Sequence, residues 1–475
     1  MGNVVDKYIV NADYFETIRN FRGTKRKHTE DNDSDELEQA MHLSKKKKMK
    51  KKLLSTPQYI YQALFKDGTD SDITLVALQK EWKLHKVYLC QSPYFASMFS
   101  GSWKETNESV VHIKIVDPKI TVDSLYTVLG SLYFNELDLE PQQLVSVLAT
   151  AALFQLDSMC EKCAEVMIET LDVENAINYY NASVEYGVLS LKEASFNWLL
   201  ANLLTCIRNV PDVLCTISVE LMTALISSPN LFVVQTESSI YFLLQTWLYY
   251  ILNPSERKSG NKQQILTQSS EYFESLFDGT EFLLTEKGKE FIPPFRALRM
   301  QHLINLLDDI SRIQMDHIIP MEWLTNAINS AWISLLKFDH GMDRGPRHCT
   351  EEEINQQGLR CGRVLPDDTE HMWRWTGFYS GLDLVWTFKN HCIKVRRNHR
   401  SNDVGSMLSM AKRRYIVCRF TVAKLNNQRQ IEYIEKTPIQ TFRLLRHDEV
   451  LVMNLKSDLT FPVYLLGELL LVNSE

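Results

Sequence analysis

The sequence lacks an uninterrupted apolar run long enough to cross a membrane. Its longest apolar stretches, such as LVSVLATAALFQL at residues 144–156, fall short of the roughly 18 residues that a membrane-spanning helix needs. The first residues also lack the apolar core of a secretory signal. We therefore expect neither a transmembrane helix nor secretion.

Signatures of common enzyme classes are missing as well. The sequence contains no Walker loop, no G-x-G-x-x-G, no G-x-S-x-G and no H-E-x-x-H. The net charge of −7 excludes an overall positive field that would attract nucleic acid or an anionic membrane. Nine cysteines, an odd number, indicate reduced thiols in the nucleus or cytosol. We expect no cofactor and no catalytic activity.

What the chain does have is a globular composition over several regions. Hydrophobic residues make up 45% and charged residues 23% of the 475 residues, which permits sizeable cores and about two to four domains. Residues 1–54 form a tail with blocks of like charge, which favour disorder. Lysine-rich runs of this kind are typical of nuclear-import signals, although a merely solvated charge run is the alternative. The basic residues concerned are Lys25, Arg26, Lys27, Lys45, Lys46, Lys47, Lys48, Lys50, Lys51 and Lys52.

The start of the tail raises one further question. Met1-Gly2 fits the beginning of a myristoylation signal, but Asp6 stands where that signal has Ser or Thr. Acylation of Gly2 therefore stays open, and a single acyl chain would give only marginal membrane binding.

Residues 55–170 predict a compact α/β domain. SDITLVAL and VVHIKIV (110–116) have the pattern of short strands. Between them, Ser92 followed by Pro93 predicts a helix start, because serine caps the first turn and proline needs no hydrogen-bond donor there. LHKVYLCQ and PYFASMFS are then expected to be two successive short helices.

The rest of the chain changes from helical to strand periodicity. Residues 171–340 have apolar residues at helical spacing, including DVENAINYYNASVEYG, which ends at Gly187. Residues 341–370, rich in Gly, Pro and charge, are predicted to be a linker. Residues 371–475 alternate with a period of two, which predicts a small antiparallel sandwich or barrel. The fold class expected for the chain is thus α+β multidomain.

Three residue groups are candidates for chemical sites. His85 and Cys90, five apart on one short helix, point to different faces and so do not form a catalytic pair. Cys160 and Cys163 lie on a predicted helix without the second pair that zinc needs, and buried structural thiols are the better interpretation. A third group has spacings that match no common zinc pattern; it comprises His348, Cys349, Cys361 and His371.

The Trp-Arg-Trp alternation in WRWTGF (373–378) has two interpretations. Its rings could stack on nucleic-acid bases, but in a β domain such a pattern is more often core packing combined with a cation–π contact.

Taken together, these stretches carry a family resemblance. SDITLVALQKEWKLHKVYLCQSPYFASMFSGSWKE resembles the BTB (POZ) fold, and the helical block with TESSIYFLLQTWL resembles a BACK domain. YLCQS, SMFSGSWKE, GSLY, RCGR, WRWTGF and FPVYLL are together similar to the germ cell-less family, over about residues 55–475. Kelch-bearing BTB adaptors continue with propeller blades, which this sequence does not contain.

The resemblance implies specific binding residues. It implies that a hydrophobic-x-Glu motif, here Trp103-Lys104-Glu105, contacts cullin-3 with support from Tyr94, Met98 and Phe99; filling of the BTB core is the alternative for Met98 and Phe99. It also implies homodimerisation near Asp72 and His85, which could instead have purely structural roles. Substrate contacts are expected in the C-terminal region, with these candidates: Trp373, Arg374 and Trp375.

The function implied by the resemblance is that of a non-catalytic substrate adaptor of a cullin-3 ubiquitin ligase in the nucleus, with a role in germ cell development. Helices at about 171–205 would extend the cullin contact. The rival hypothesis is a structural or transcription-regulating protein at the nuclear envelope that dimerises through its BTB domain and binds no cullin.

Overall fold

The computed structural model describes residues 55–101, 108–134, 139–257, 262–304, 307–340, 342, 344–376, 382–398, 412–446 and 448–472. Residues 55–475 form one compact unit. Sixteen α-helices are found within these ranges: α1 Thr56–Ile60, α2 Lys86–Leu89, α3 Pro93–Ser100, α4 Val122–Ser131, α5 Leu144–Leu153, α6 Asp157–Glu169, α7 Ala176–Glu185, α8 Leu189–Asn202, α9 Pro211–Leu214, α10 Val219–Ser227, α11 Glu237–Leu252, α12 Lys262–Leu276, α13 Ile292–Arg296, α14 Leu307–Asp316, α15 Met321–Asp339 and α16 Glu351–Gln357.

The strands of this unit lie near the beginning and near the end of its sequence. The twelve strands within the described ranges are β1 Ile73–Ala77, β2 Lys80–Leu84, β3 Val110–His112, β4 Leu359–Leu365, β5 His371–Trp373, β6 Leu384–Lys389, β7 Cys392–Arg397, β8 Arg413–Leu425, β9 Ile431–Lys436, β10 Gln440–Leu445, β11 Glu449–Asn454 and β12 Val463–Leu470. The mixture of helices with an N-terminal and two C-terminal sheets confirms the α+β multidomain class.

The N-terminal region has a three-stranded sheet in the order β2-β1-β3. The predicted strand at 110–116 is too long: β3 ends at His112, although Ile113 still donates its N–H to the Val76 carbonyl at 2.9 Å. The physical reason is the length of its partner. β1 ends at Ala77, where the chain turns into β2, so the residues after Ile113 have no β1 backbone beside them.

The Ser92-Pro93 prediction is confirmed. Ser92 Oγ accepts the N–H of Phe95 at 3.4 Å and Pro93 is the first residue of α3. The same hydroxyl donates to the Phe154 carbonyl at 2.6 Å, which ties the start of α3 to the end of α5. One serine therefore both begins the helix and fixes its position in the domain.

In the helical region, the predicted helix end at Gly187 is confirmed and two tryptophans are buried. After α7, Gly187 has φ of 74°, a left-handed conformation that favours glycine. The tryptophans of the two apolar helices are buried: Trp198 of α8 is 3% exposed and Trp247 of α11 is fully buried. Trp247 also donates its indole N–H to the Ile217 carbonyl at 3.2 Å.

The C-terminal strands form two antiparallel sheets around one core. The five-stranded sheet has the order β10-β8-β12-β4 with β9 also paired to β8, and the four-stranded sheet has the order β11-β7-β6-β5. Leu384, Trp386 and Phe388 are all buried between them, as the period of two predicted.

The predicted linker at 341–370 is wrong in its second half. Thr350 and Glu353 form a reciprocal capping box that begins α16, and β4 then pairs antiparallel with β12. The sequence contains the T-x-x-E signature of a helix start at Thr350 and Glu353. The high charge and glycine content of the segment instead favoured a linker. The first strand of the five-stranded sheet therefore begins at Leu359, before the predicted boundary at residue 371.

Helices and sheet are joined by hydrogen bonds at two places. The β8–β9 turn lies on α8, where Trp198 donates to the Gln428 carbonyl at 3.1 Å and Asn202 to the Arg429 carbonyl at 2.9 Å. At the second place Gln235 and Gly362 exchange backbone hydrogen bonds of 2.8 and 2.9 Å. A Cβ at Gly362 would lie 1.8 Å from the Val233 carbonyl oxygen, so only glycine permits this approach.

Candidate functional site

Three of the residues expected to bind cullin-3 lie on α3. Phe95 is fully buried and anchors the helix, while Tyr94, Met98 and Phe99 are half-buried against the same core. The Tyr94 ring packs against Phe154 with centroids 5.6 Å apart, and Phe99 stacks on Phe95 at 6.1 Å. Tyr94, Met98 and Phe99 therefore pack partly in the core and keep part of their surface exposed. For Met98 and Phe99, this partial exposure is compatible both with filling of the core and with a contact to a partner.

A cation extends this surface. The Nζ of Lys86 lies 5.2 Å from the centroid of the Phe99 ring, within the range of a cation–π contact. The exposed Val87, with 74% of its area accessible, follows on α2. We call the surface formed by Tyr94, Met98 and Phe99 the α3 edge.

The remaining predicted cullin contacts, Trp103, Lys104 and Glu105, fall in residues 102–107, outside the described residues. The basic import residues of segment 1–54 also fall outside them. Their roles stay predictions.

Asp72 and His85 together organise the start of α2. Asp72 Oδ1 accepts the N–H of Lys86 at 2.8 Å. The backbone N–H of His85 donates to the Tyr133 hydroxyl at 2.9 Å, and its ring contacts the Thr69 carbonyl through Nε2 at 2.9 Å. Both residues thus have the structural contacts that were the alternative to a dimer role; the dimer role itself stays a prediction.

The contacts of His85 define its tautomer. The Thr69 carbonyl can only accept, so Nε2 carries the proton. Nδ1 then accepts from the Tyr133 hydroxyl at 3.2 Å. Burial raises the pKa of Tyr133 well above its ordinary value, which keeps this hydroxyl available as a donor. The imidazole is therefore held in place by two hydrogen bonds.

The two cysteines of α6 are not activated nucleophiles. Cys163 is buried and Cys160 half-buried on α6, and burial raises the pKa of these thiols to about 12 and about 11, which disfavours the reactive thiolate. Cys90 is exposed and is the C-terminal cap of α2, which ends at Leu89.

The Trp-Arg-Trp cluster corrects a prediction. Trp373 and Trp375 are only 6% and 3% exposed, so their rings are core residues and do not face a substrate. Trp375 donates its indole N–H to the Gly362 carbonyl at 3.2 Å. Arg374 points outward and pairs with Asp383 through bonds of 3.0 and 2.5 Å. Burial alternates at residues 373, 374 and 375, although β5 itself ends at Trp373.

Sequence reasoning missed a buried ionic network between α11 and the five-stranded sheet. Glu237, the first residue of α11, is fully buried and binds Arg360 through bonds of 3.1 and 2.5 Å. It also accepts the backbone N–H of Arg299 at 2.8 Å, and the Arg299 guanidinium reaches the Gly358 carbonyl. The sequence offered only one signal for this network, the arginine that begins RCGR. Its orientation toward the helices is visible only in the structure.

Neither a metal-binding cluster nor a membrane-spanning helix is found among the described residues. In these ranges no three His, Cys, Asp or Glu side chains are grouped so that they could hold a metal ion. None of the helices that the structure describes combines the length and apolar character needed to cross a membrane.

Comparison with known proteins agrees with this architecture. The family model described as BTB/POZ domain matches residues 61–171. The protein germ cell-less of Drosophila melanogaster is 39% identical over 495 aligned residues, which cover 99% of this chain and 86% of that protein. Germ cell-less protein-like 1 of Mus musculus is 38% identical over 93% of this chain and 83% of its own length.

A more distant relative shares less of the chain. Kelch-like protein 6 of Homo sapiens is 26% identical over 188 residues, which cover 39% of this chain and 29% of that protein. Similarity along nearly the whole sequence is thus a property of the germ cell-less relatives. With 38–39% identity over nearly its full length and a BTB/POZ domain at residues 61–171, the chain belongs to the germ cell-less family.

Proposed function

We propose that this chain is a non-catalytic adaptor that binds cullin-3 through its BTB/POZ domain and presents a protein substrate through its C-terminal region. The α3 edge carries the proposal. Tyr94, Met98 and Phe99 are held by a buried Phe95, yet keep part of their surface exposed. Half-exposed aromatic and methionine side chains on a rigid helix are suited to the centre of a protein interface.

The segment that follows α3, residues 102–107, supplies the second part of the proposed contact. Trp103 would fill a pocket of the partner, and Glu105 would set its register through charge complementarity. Since α3 ends at Ser100, these residues follow the α3 edge directly in the sequence. The adaptor would contribute binding surfaces only, and ubiquitin transfer would be catalysed by the associated proteins.

Dimerisation through the BTB/POZ domain would give the adaptor two substrate sites. Asp72 and His85 would lie near that interface, and two linked sites raise the apparent affinity for a multivalent substrate without any new contact. The helices at about 171–205 would extend the cullin surface, and the lysine run would direct the protein to the nucleus, with the nuclear envelope as one location within it.

The cullin contact is tested by binding to purified cullin-3. Trp103→Ala combined with Glu105→Lys, and separately Tyr94→Ala combined with Met98→Ala, should each reduce the affinity by about tenfold or more, as expected for central interface residues. Met372→Ala, at a residue that is 60% exposed on β5, serves as the control and should bind like the wild type. Gel filtration must show each variant folded and of unchanged size.

Two results would reject the cullin-3 adaptor. The first is undiminished binding by both double variants, and the second is a wild-type chain that dimerises but does not bind cullin-3 at all. The second result would favour the rival function, a structural or transcription-regulating protein at the nuclear envelope.

Nuclear import is tested separately. Deletion of residues 45–52 should move a fluorescent fusion of the full chain to the cytoplasm, whereas replacement of Lys25, Arg26 and Lys27 by alanine should leave it nuclear. A deletion variant that stays in the nucleus would show that the lysine run is not the import signal.

A further inference from the structure

A cleft of about 400 Å3 lies between the helical region and the outer face of the five-stranded sheet. α8 and residues 229–233 form one wall, and strands β4, β8, β9 and β12 form the floor and the opposite wall. This volume is in the range of sites that bind peptides or small ligands. We call this space the sheet cleft.

The floor of the sheet cleft contains a polar group with unused capacity. Arg419 is 3% exposed and donates to Glu468 Oε2 at 2.7 Å and to Glu351 at 2.9 Å. The other oxygen of the same carboxylate, Glu468 Oε1, is buried and has no hydrogen-bond partner among the described residues. A buried acceptor is more stable when it receives a donor, so an N–H group entering the cleft would be favoured there.

The upper part of the cleft is apolar and more exposed. Phe232, on the helical side, belongs to a small hydrophobic cluster, and Leu466, on the sheet side, packs against that cluster. Ile434 of β9 faces the cleft with 55% of its surface accessible, and Ile431 with 37%. Exposed apolar side chains beside a cavity indicate an interaction site more strongly than isolated ones do.

Charge and backbone narrow the class of ligand. Lys436 is exposed at the cleft, and no ion pair of its side chain is found within the described ranges. β9 pairs with β8 and with no other described strand, so its outer edge presents backbone N–H and C=O groups. An extended peptide can pair with such an edge, and its side chains then occupy adjacent pockets.

We propose that the sheet cleft binds an extended peptide segment of the protein substrate, with a bulky apolar side chain against Ile434 and Leu466 and an acidic side chain at Lys436. Glu468 Oε1 accepts an N–H group of the same peptide. This inference rests on the proposed adaptor function for its biological meaning, while binding of the peptide itself requires no cullin.

A random 12-residue peptide-display library selected against the purified full-length chain tests the proposal. The selected peptides should combine a bulky apolar residue with Asp or Glu, and their affinity should fall by about tenfold or more in Ile434→Asp. Lys436→Glu should reduce binding of the acidic peptides and, in a second selection, favour Lys or Arg at the same position. Leu451→Asp and Lys412→Glu, at exposed residues outside the cleft lining, should bind the peptides like the wild type.

The outcomes separate this inference from the adaptor proposal. Failure to enrich any peptide, or equal binding by Ile434→Asp and Leu451→Asp, would overturn the sheet cleft as a peptide site. The cleft variants should still bind cullin-3, and the α3-edge variants should still bind the peptides. Loss of cullin-3 binding in the α3-edge variants with no peptide enrichment would therefore leave the adaptor proposal intact and reject only the cleft.

Discussion

Within the described residues of the BTB/POZ domain, the buried polar side chains other than aromatic residues with polar groups are three hydroxyls and one imidazole, belonging to Ser92, Ser124, Thr150 and His85. The junction between α11 and the five-stranded sheet instead buries four charged side chains: Glu237, Arg299, Arg360 and Arg419. One region is stabilised mainly by apolar packing around neutral groups, and the other also contains buried charges that are held by ion pairs and hydrogen bonds.

This difference predicts different responses to mutation. A neutral buried hydroxyl that loses its partner leaves an unsatisfied dipole, whereas a buried charge that loses its partner retains a large desolvation penalty. The junction should therefore be more sensitive to removal of a single polar group than the BTB/POZ domain.

The largest effect is expected for Glu237→Leu, which removes the carboxylate and leaves Arg360 and the Arg299 N–H without their shared acceptor. The free energy of unfolding should fall by about 3–5 kcal/mol. In the BTB/POZ domain, Ser92→Ala should lower it by about 1–2 kcal/mol, since a helix cap and one hydrogen bond are lost. Denaturant titrations of the two variants measure both values, and equal losses would contradict the comparison.

A double variant sharpens the explanation. If desolvation of an unpaired charge causes the loss, Glu237→Leu combined with Arg360→Leu should be more stable than Glu237→Leu alone, because neither charge of the pair then stays buried. A double variant in which the two losses simply add would show that the pair itself contributes little coupling.

The next effect concerns pH at the same junction. His302 is 3% exposed and its Nε2 lies 2.6 Å from the Gln357 carbonyl beside β4, and burial lowers its pKa from 6.5 to about 4. Between these values the unfolded chain binds a proton that the folded chain does not, so stability falls as the pH falls from about 6.5 to about 4. The shift corresponds to at most about 3 kcal/mol.

The measurement compares the unfolding midpoint of wild type and His302→Gln at pH 7 and pH 4.5. Glutamine retains a donor for the Gln357 carbonyl but does not titrate, so the variant should lose less stability on acidification than the wild type. Parallel pH curves for the two proteins would exclude His302 as the sensitive group. Carboxylates that titrate elsewhere affect both proteins alike and cancel in the difference.

The same comparison shows what the sequence could predict. The Ser92-Pro93 helix start and the alternation of Leu384, Trp386 and Phe388 depend on neighbours within a few residues, and these predictions are confirmed. The BTB/POZ region is rich in such local signals. The strand at 110–116 was predicted too long because its end depends on the length of β1, a partner more than thirty positions away in the printed sequence.

At the junction, the deciding contacts are more distant. Glu237 and Arg360 are 123 residues apart, and no pattern of spacing connects them. The burial of Trp373 and Trp375 agrees with core packing, the more frequent interpretation of the Trp-Arg-Trp pattern, and contradicts their expected role as substrate contacts. The sheet cleft could not be predicted from the sequence because it exists only where two distant regions of the chain meet.

The smallest effect is expected for Arg374→Ala, which breaks an ion pair at the surface rather than in the interior. The Arg374 side chain is 42% exposed and that of Asp383 9%, and Asn398 still donates to the Asp383 carboxylate at 2.7 Å. Because solvent screens the pair and a hydrogen bond remains, the free energy of unfolding should fall by only about 1 kcal/mol or less, well below the loss for Glu237→Leu.

Arg374 is also the one exposed member of the predicted substrate-binding cluster, so the variant should be measured with the peptides selected on the sheet cleft. Unchanged affinity is expected; a clear loss would make Arg374 a substrate contact and extend the binding site from the five-stranded to the four-stranded sheet.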